Sequence, residues 1–379
     1  MNTTATPALT EPVGPILGMA FETGVSEWKI AFSTGLGQRP RHRTLAARDL
    51  VRLEREIAQA KSRFGLPADT RVVSCYEAGR DGFWLHRALT LMGVENQIVD
   101  SSSIEVNRRQ RRAKTDRLDA AKLVGMLFRW LWGDHKVWSV VRVPSPEEED
   151  RRHLHRELMT ARRDRNRLTN RIKGLLFGQG IRIQELKDLP VELPRMRIWN
   201  GDALPPRLTA RIGRDWQKVE ERNTQIHALV SERRQLLRTA DDPGTECARK
   251  LFQLRGIGHN AAWLFALEFF SWREFRNRRQ IGALSGLTPT PYQSGGENRD
   301  QGISKAGNRW VRALAIEIAW GWLRYQPESE LSQWYRRKFG HGSSRVRRIG
   351  IVALARRLLI ELWKYLQTGN PPAGAVLKA

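Results

Sequence analysis

Four carboxylates dominate the chemistry open to this chain. Glu22 and Glu77 fall at or near the ends of strand-like runs. Asp116 and Asp119 stand three residues apart in the run Lys114-Thr115-Asp116-Arg117-Leu118-Asp119-Ala120. At the start of a helical pattern, that spacing projects both aspartates from one face. Mg²⁺ takes oxygen ligands and usually keeps several waters, so a few converging carboxylates are enough to hold it. Two such ions can stabilise both the attacking and the leaving oxygen of a phosphodiester. The set therefore reads as a site for Mg²⁺, up to two ions, acting on nucleic acid. Singly, each acid reads as a solvated charge, and the helix dipole alone favours Asp at a helix start. The joint order on strands and helix carries the metal reading.

The elements that must position these acids are legible in the hydrophobic pattern. Strand-like runs occupy 16–22, 28–33, 41–45, 71–77 and 97–99, and helical spacing occupies 46–64, 82–92 and 116–131. This order predicts a mixed sheet that starts with a hairpin and continues in crossover units. In an RNase H-like arrangement the first strand carries a central acid, and a later strand end and a late helix carry the others. The expected fold class is thus an α/β RNase H-like (RuvC-like) N-terminal domain at 14–143, behind a disordered tail at 1–13. Arg108, Arg109, Arg111, Arg112 and Lys114 immediately precede the paired aspartates. They read either as a solvated loop or, as we favour, a phosphate clamp beside the metals.

Pro144-Ser145-Pro146 marks a boundary, with Ser145 placed to cap the helix that follows. Two apolar seams then alternate gaps of three and four, one from Leu154 to Leu175 and one from Trp216 to Leu237, joined by a connection over about 178–214. They predict a helical coiled-coil middle, either an antiparallel hairpin or a dimerising arm, at 144–243. Its first seam is basic: 151–173 holds nine Lys/Arg and only Glu157 and Asp164 as acids. A surface that tracks a nucleic-acid backbone is the better reading of that bias. His153 and His155 are two apart on the helix and point to different faces, which argues against a metal role.

The remainder, 244–370 with a tail at 371–379, is expected to be a mainly α C-terminal domain. It carries a Gly/Ser/Pro-rich loop at 286–307. Leu254-Arg255-Gly256-Ile257-Gly258 resembles a phosphate-holding turn between helices, though a plain turn fits equally well. Ser294 sits among glycines, followed by Lys305 and Arg312, which can bind phosphate and stabilise charge developing on phosphorus. A serine needs a base or a metal to attack. No local base is evident here, so from chemistry alone Ser294 reads first as a turn residue. Residues 331–360 hold eight Lys/Arg and no acid, which predicts a core helix with a basic outer face.

Composition points the same way. The 379 residues include 65 Lys/Arg against 40 Asp/Glu, a net charge of +25 that calls for a polyanionic partner. Two cysteines without metal-type spacing fit a reducing cytosol rather than a disulfide framework. No apolar run reaches the ~18 residues of a spanning helix, and residues 1–15 lack the pattern of a signal peptide. A membrane partner is not expected.

Together these motifs resemble the insertion-sequence transposases of the IS-one-ten family, the bridge-RNA-guided recombinases with a DEDD-type RuvC-like domain, a coiled coil and a serine-bearing transposase domain. The resemblance rests on the Lys114–Ala120 run, Tyr76-Glu77-Ala78-Gly79, Gly256-Ile257-Gly258, Gly286-Leu287-Thr288-Pro289, Ser294-Gly295 and Ser304-Lys305-x-Gly307-Asn308, and it covers about 16–365. In that family the first acid is usually Asp, and Glu22 fills its slot here. The resemblance implies that Ser294 is a recombination nucleophile and that Glu22, Glu77, Asp116 and Asp119 are catalytic metal ligands. It implies partners too: a structured guide (bridge) RNA, donor and target DNA, and further copies of the chain in a homodimer or homotetramer. It implies a cytoplasmic, nucleoid-associated protein. Two other readings use the same residues: a RuvC-like metal-dependent junction nuclease that ignores Ser294, and a non-catalytic nucleic-acid scaffold.

Overall fold

A computed structural model describes residues 14–105, 116–294 and 297–378, with side chains at all of these except 102, 116–118 and 291–301. The expected tail at 1–13 and the basic run Arg108, Arg109, Arg111, Arg112 and Lys114 lie outside the described residues. The chain divides into two compact units, Met1–Pro144 and Ser145–Ala379.

Unit 1 is built on a five-stranded sheet in the order β3-β2-β1-β4-β5. Its strands are β1 (Ile16–Thr23), β2 (Glu27–Ser33), β3 (Arg41–Ala46), β4 (Arg71–Glu77) and β5 (Glu95–Val99). β1, β2 and β3 pair antiparallel, while β4 runs parallel to both β1 and β5. The two faces follow the two-residue period of the pleat. Leu17, Met19 and Phe21 of β1 enter one core with Leu53 and Ile57 of α1 (Leu50–Arg63) and Leu85 and Leu89 of α2 (Trp84–Leu91). Ile16 and Ala20 face the other way, where Leu123, Val124 and Leu127 of α3 (Asp116–Leu131) cover them. Burial on both faces explains why β1 is almost continuously apolar.

Unit 2 begins with two long helices, α4 (Pro146–Phe177) and α6 (Pro206–Thr239). Ser145 caps α4 in a reciprocal capping box with Glu148, as its place before Pro-Glu-Glu-Glu predicts. The helices pack antiparallel. Leu154 of α4 meets Leu236 and Leu237, Leu158 and Ala161 meet Ile226 and Leu229, and Leu168 and Ile172 meet Ile212 and Val219. The connection is shorter than 178–214, because α6 already starts at the Pro205-Pro206 pair, where proline suits a first helical turn. It contains α5 (Leu189–Glu192).

The rest of unit 2 is α7 (Pro243–Gln253), α8 (His259–Phe265), a π-helical turn (Ala266–Phe270), α9 (Arg278–Ser285), α10 (Arg309–Tyr325), α11 (Glu330–Phe339) and α12 (Ser344–Thr368). They share one core around Phe265, Phe269, Trp322, Leu354 and Leu358. The stretch expected to be a loop at 286–307 is a hairpin instead, β6 (Pro289–Ser294) and β7 (Glu297–Ile303). The segment set apart as a tail packs onto this unit. Val376 N–H donates to Gln326 at 2.7 Å, and Lys378 Nζ donates to the Ile257 carbonyl at 2.7 Å. Among the described residues no helix is long and apolar enough to cross a membrane.

Candidate functional site

In unit 1, strand register and helix pitch bring the acids to one end of the sheet. Register pairs Gly18 with Val73 and Ala20 with Cys75, so Glu22 and Glu77 come next on the same face. α3 runs down that face. A Cβ on Gly18 would lie 2.5 Å from the Phe128 ring, which is why the position takes no side chain. Further up, Cys75 Sγ donates to the Leu123 carbonyl at 3.8 Å. Glu77 lies two strand residues beyond Cys75, about 7 Å along the sheet. Asp119 lies four helical residues before Leu123, about 6 Å along the helix. The two therefore arrive at the same level, and Asp116 follows at the first residue of α3. Glu22, Glu77 and Asp119 are all half-buried. Burial and the nearby Glu77 charge push the Cys75 thiol well up, so it acts here as an apolar group.

Carboxylate oxygens are the donors Mg²⁺ prefers, so the chemistry of the set fits that ion. Among the described residues, though, no three His, Cys, Asp or Glu side chains stand close enough to hold a metal. The described acids form an open edge rather than a cage. An Mg²⁺ ion that keeps waters and borrows substrate phosphates needs only one or two carboxylates. Asp100, directly after β5, is a further acid at this sheet end that the strand-run reading passed over.

In unit 2, Ser294 ends β6 and registers opposite Glu297 of β7. The root of this hairpin is tightly tied. Ser304 N–H donates to the Thr288 carbonyl at 2.9 Å, and Asn308 N–H to the Leu284 carbonyl at 3.1 Å. Gly286 (φ +68°) and Gly307 (φ +74°) adopt left-handed backbone. A Cβ on either would sit 2.0 Å from a carbonyl oxygen, that of Ala306 and Leu284 respectively. Arg312 Nη1 bonds the carbonyls of Lys305 at 2.9 Å and Ala306 at 3.1 Å. Arg312 thus straps the root with at least one amino group, a structural task its sequence position did not reveal. Lys305 also has left-handed φ, +57°, and its side chain is exposed. A non-glycine residue held there is strained, a feature that clusters at functional sites.

The basic bias of α4 is partly spent on the fold. Arg171 pairs with Asp215, Arg151 with Asp242 at 3.4 Å, and Arg167 with Asp164 at 3.4 Å. Arg152 is buried over the Trp272 ring at 4.9 Å, and burial lowers its pKa. Arg156 grips Glu268 with two hydrogen bonds, which raise the arginine's pKa. His155 is also buried, pulled down to about 4 by desolvation, and neither ring nitrogen has a hydrogen-bond partner.

Sequence comparison decides the family. The family model described as "Transposase IS116/IS110/IS902 family" matches residues 248–333. The putative transposase y4rJ of Sinorhizobium fredii is 40% identical over 375 residues, 95% of this chain and 94% of that protein. The chain belongs to the IS116/IS110/IS902 family of transposases. More distant similarity extends to the transposase for insertion sequence element IS1328 of Yersinia enterocolitica, 29% identical across 60% of this chain and 66% of the relative. The transposase for IS1111A of Coxiella burnetii is 24% identical across 63% of each chain. Within this transposase the matched segment holds the π-helical turn with Glu268, the hairpin with Ser294, and Lys305 and Arg312.

Proposed function

We propose that this transposase is an RNA-guided DNA recombinase that cuts and rejoins strands through Ser294, assisted by the acid edge of an RNase H-like unit. The observation that carries the reading is the position of Ser294. It ends strand β6 opposite Glu297, above a root locked by Gly286, Gly307 and Arg312, inside the segment the transposase family shares. The mixed sheet with Glu22, Glu77 and Asp119 at one end supports the RNase H-like assignment, and the antiparallel α4–α6 pair supports the coiled-coil arm.

In the first step Ser294 Oγ attacks a DNA phosphorus. A P–Oγ bond forms, one P–O bond to a deoxyribose breaks, the serine proton passes to a carboxylate acting as base, and the released sugar oxygen is protonated. In the second step a sugar hydroxyl of the incoming strand attacks the phosphoserine and frees Ser294. The count of phosphoester bonds is unchanged, so no external energy source is required. Glu22, Glu77, Asp116 and Asp119 would hold Mg²⁺, which supplies Lewis-acid stabilisation of phosphate charge when bound. Lys305 would neutralise the same charge. Sequence choice would rest on pairing by a structured guide RNA, and the net charge of +25 suits a protein that grips RNA and two duplexes. Acids of one subunit would serve the serine of another in a homodimer or homotetramer.

The test is to trap the protein–DNA adduct. Wild type incubated with end-labelled donor DNA, the element's flanking RNA and Mg²⁺ is expected to yield a denaturation-resistant species, which Ser294→Ala abolishes without loss of RNA binding. An adduct that persists in Ser294→Ala removes the serine mechanism. Junction cutting by that variant at the wild-type rate would favour a water-using nuclease.

A further inference from the structure

A second feature of unit 2 has no place in that chemistry. α9, α11 and α12 enclose a cleft of about 890 Å³. Six cations line it, Arg278, Arg279, Lys338, Arg356, Arg357 and Lys364, against a single acid, Glu361. Of these six, among the described residues, Lys364 alone has an acidic partner, Glu361 at 2.8 Å. All six except Arg356 are exposed. So many cations crowded around one cavity repel each other and weaken the fold unless an anion offsets them. The cleft also holds a planar platform. The Arg357 guanidinium lies 4.2 Å above the Trp334 ring, and the indole is braced from the side by Phe339 at 5.5 Å.

We infer that this cleft binds a short stretch of single-stranded nucleic acid, its phosphates on the six cations and a base continuing the Arg357–Trp334 stack. Positive grooves with stacking platforms are how proteins hold single strands, since an unpaired base has a free face and a duplex base does not. Pockets of about 300–1,000 Å³ enclose drug-sized ligands, so the cleft has room for a few nucleotides. Its wall includes Thr288, whose carbonyl closes the root of the hairpin whose first strand ends at Ser294. A strand seated here would leave the cleft at the root of that hairpin. The inference rests on the transposase reading only for the source of the strand, a guide RNA or a displaced DNA strand.

The experiment is an anisotropy titration of the full chain with labelled oligothymidylate, oligouridylate and duplex DNA. It compares wild type with Arg278→Glu/Lys338→Glu, and with Arg52→Glu/Arg55→Glu, an equal charge change on exposed positions of α1. The milder pair Arg278→Gln/Lys338→Gln, checked by circular dichroism, covers the case in which charge reversal unfolds the protein. We expect the cleft variant to lose single-strand affinity about tenfold beyond the control, with duplex affinity matching the control. Its salt dependence should flatten by roughly 0.7 per phosphate contact removed. Which oligomer loses more identifies RNA or DNA as the source. A single-strand loss no larger than the control's, or an equal extra loss on duplex, overturns the assignment. Because Ser294→Ala should bind both oligomers like wild type, failure of the serine mechanism and failure of the cleft give different results.

Discussion

Arg156 of α4 donates two hydrogen bonds to Glu268, at 2.7 and 3.0 Å, and so ties the helical hairpin to a π-helical turn in the segment shared by the transposase family. Glu268 is 2% exposed and Arg156 is 42% exposed. π-turns inside α-helices recur at functional sites, and this one turns a carboxylate into a buried position that Arg156 of another element satisfies. Arg156→Ala should therefore strand a buried acid. We expect a loss of about 2–3 kcal/mol, less than the ~3–5 of a fully enclosed pair because the guanidinium keeps some solvent. Urea denaturation of the two proteins measures it. A loss under 0.5 kcal/mol, on the order of an ordinary surface substitution, would show that the pair does not anchor the hairpin.

The hairpin root gives a sharper prediction. Gly286→Ala or Gly307→Ala places a methyl against a carbonyl oxygen and also penalises left-handed backbone. Either change should shift the hairpin while the helical core around Trp322 and Leu358 persists. Adduct formation should fall by at least about 100-fold, the scale on which an ångström of misplacement acts, with the far-ultraviolet spectrum unchanged. Near-normal adduct formation in both variants would detach the root from the chemistry.

Lys305 and Arg312 should separate in the same assays. Lys305 has an exposed side chain, so Lys305→Ala should change stability by no more than about 0.5 kcal/mol. Its strand transfer should nevertheless drop by about 100-fold, the usual effect of removing one group that stabilises transition-state charge. Arg312→Ala frees the carbonyls of Lys305 and Ala306 and should lower both stability and activity. If Lys305→Ala transfers strands like wild type, its strained backbone has another cause.

His155 predicts a pH dependence. Burial holds its pKa at about 4, against an ordinary 6.5, and the groups around it are Glu268, Arg233, Arg162 and Arg156. Between those two values the unfolded chain binds a proton that the folded chain refuses, so stability rises with pH across the window and falls on acidification toward pH 4. Each pH unit of displacement is worth about 1.4 kcal/mol, so the full effect is roughly 3 kcal/mol. His155→Leu should flatten this part of the stability–pH curve. An unchanged slope between pH 6.5 and 4 would assign the acid sensitivity to other groups.

Much of unit 1 was legible because each element repeats a simple period. The observed strands and helices of unit 1 follow the apolar pattern closely, and Glu22 and Glu77 fall at the same end of neighbouring strands β1 and β4, as the strand order implies. The Ser294 hairpin was not legible as strands, because Pro289, Pro291 and the Gly295-Gly296 pair read as loop punctuation. Proline is tolerated in β6 because the ribbon has only two strands, so each has a free edge. The basic cleft could not be read either. Its cations come from α9, α11 and α12, and only packing unites them. The charge count of 151–173 overstated the free basic surface, since Arg151, Arg156, Arg167 and Arg171 each meet an acid.

The most direct measurement is recombination between donor and target DNA in the presence of the flanking RNA and Mg²⁺, comparing wild type, Ser294→Ala, Asp116→Ala and Asp119→Ala. The account predicts product only with wild type and only when RNA is present, with all three variants inactive yet still binding RNA. Recombination by Ser294→Ala at the wild-type level would contradict it, because the serine would then be a turn residue and the acid edge would act alone.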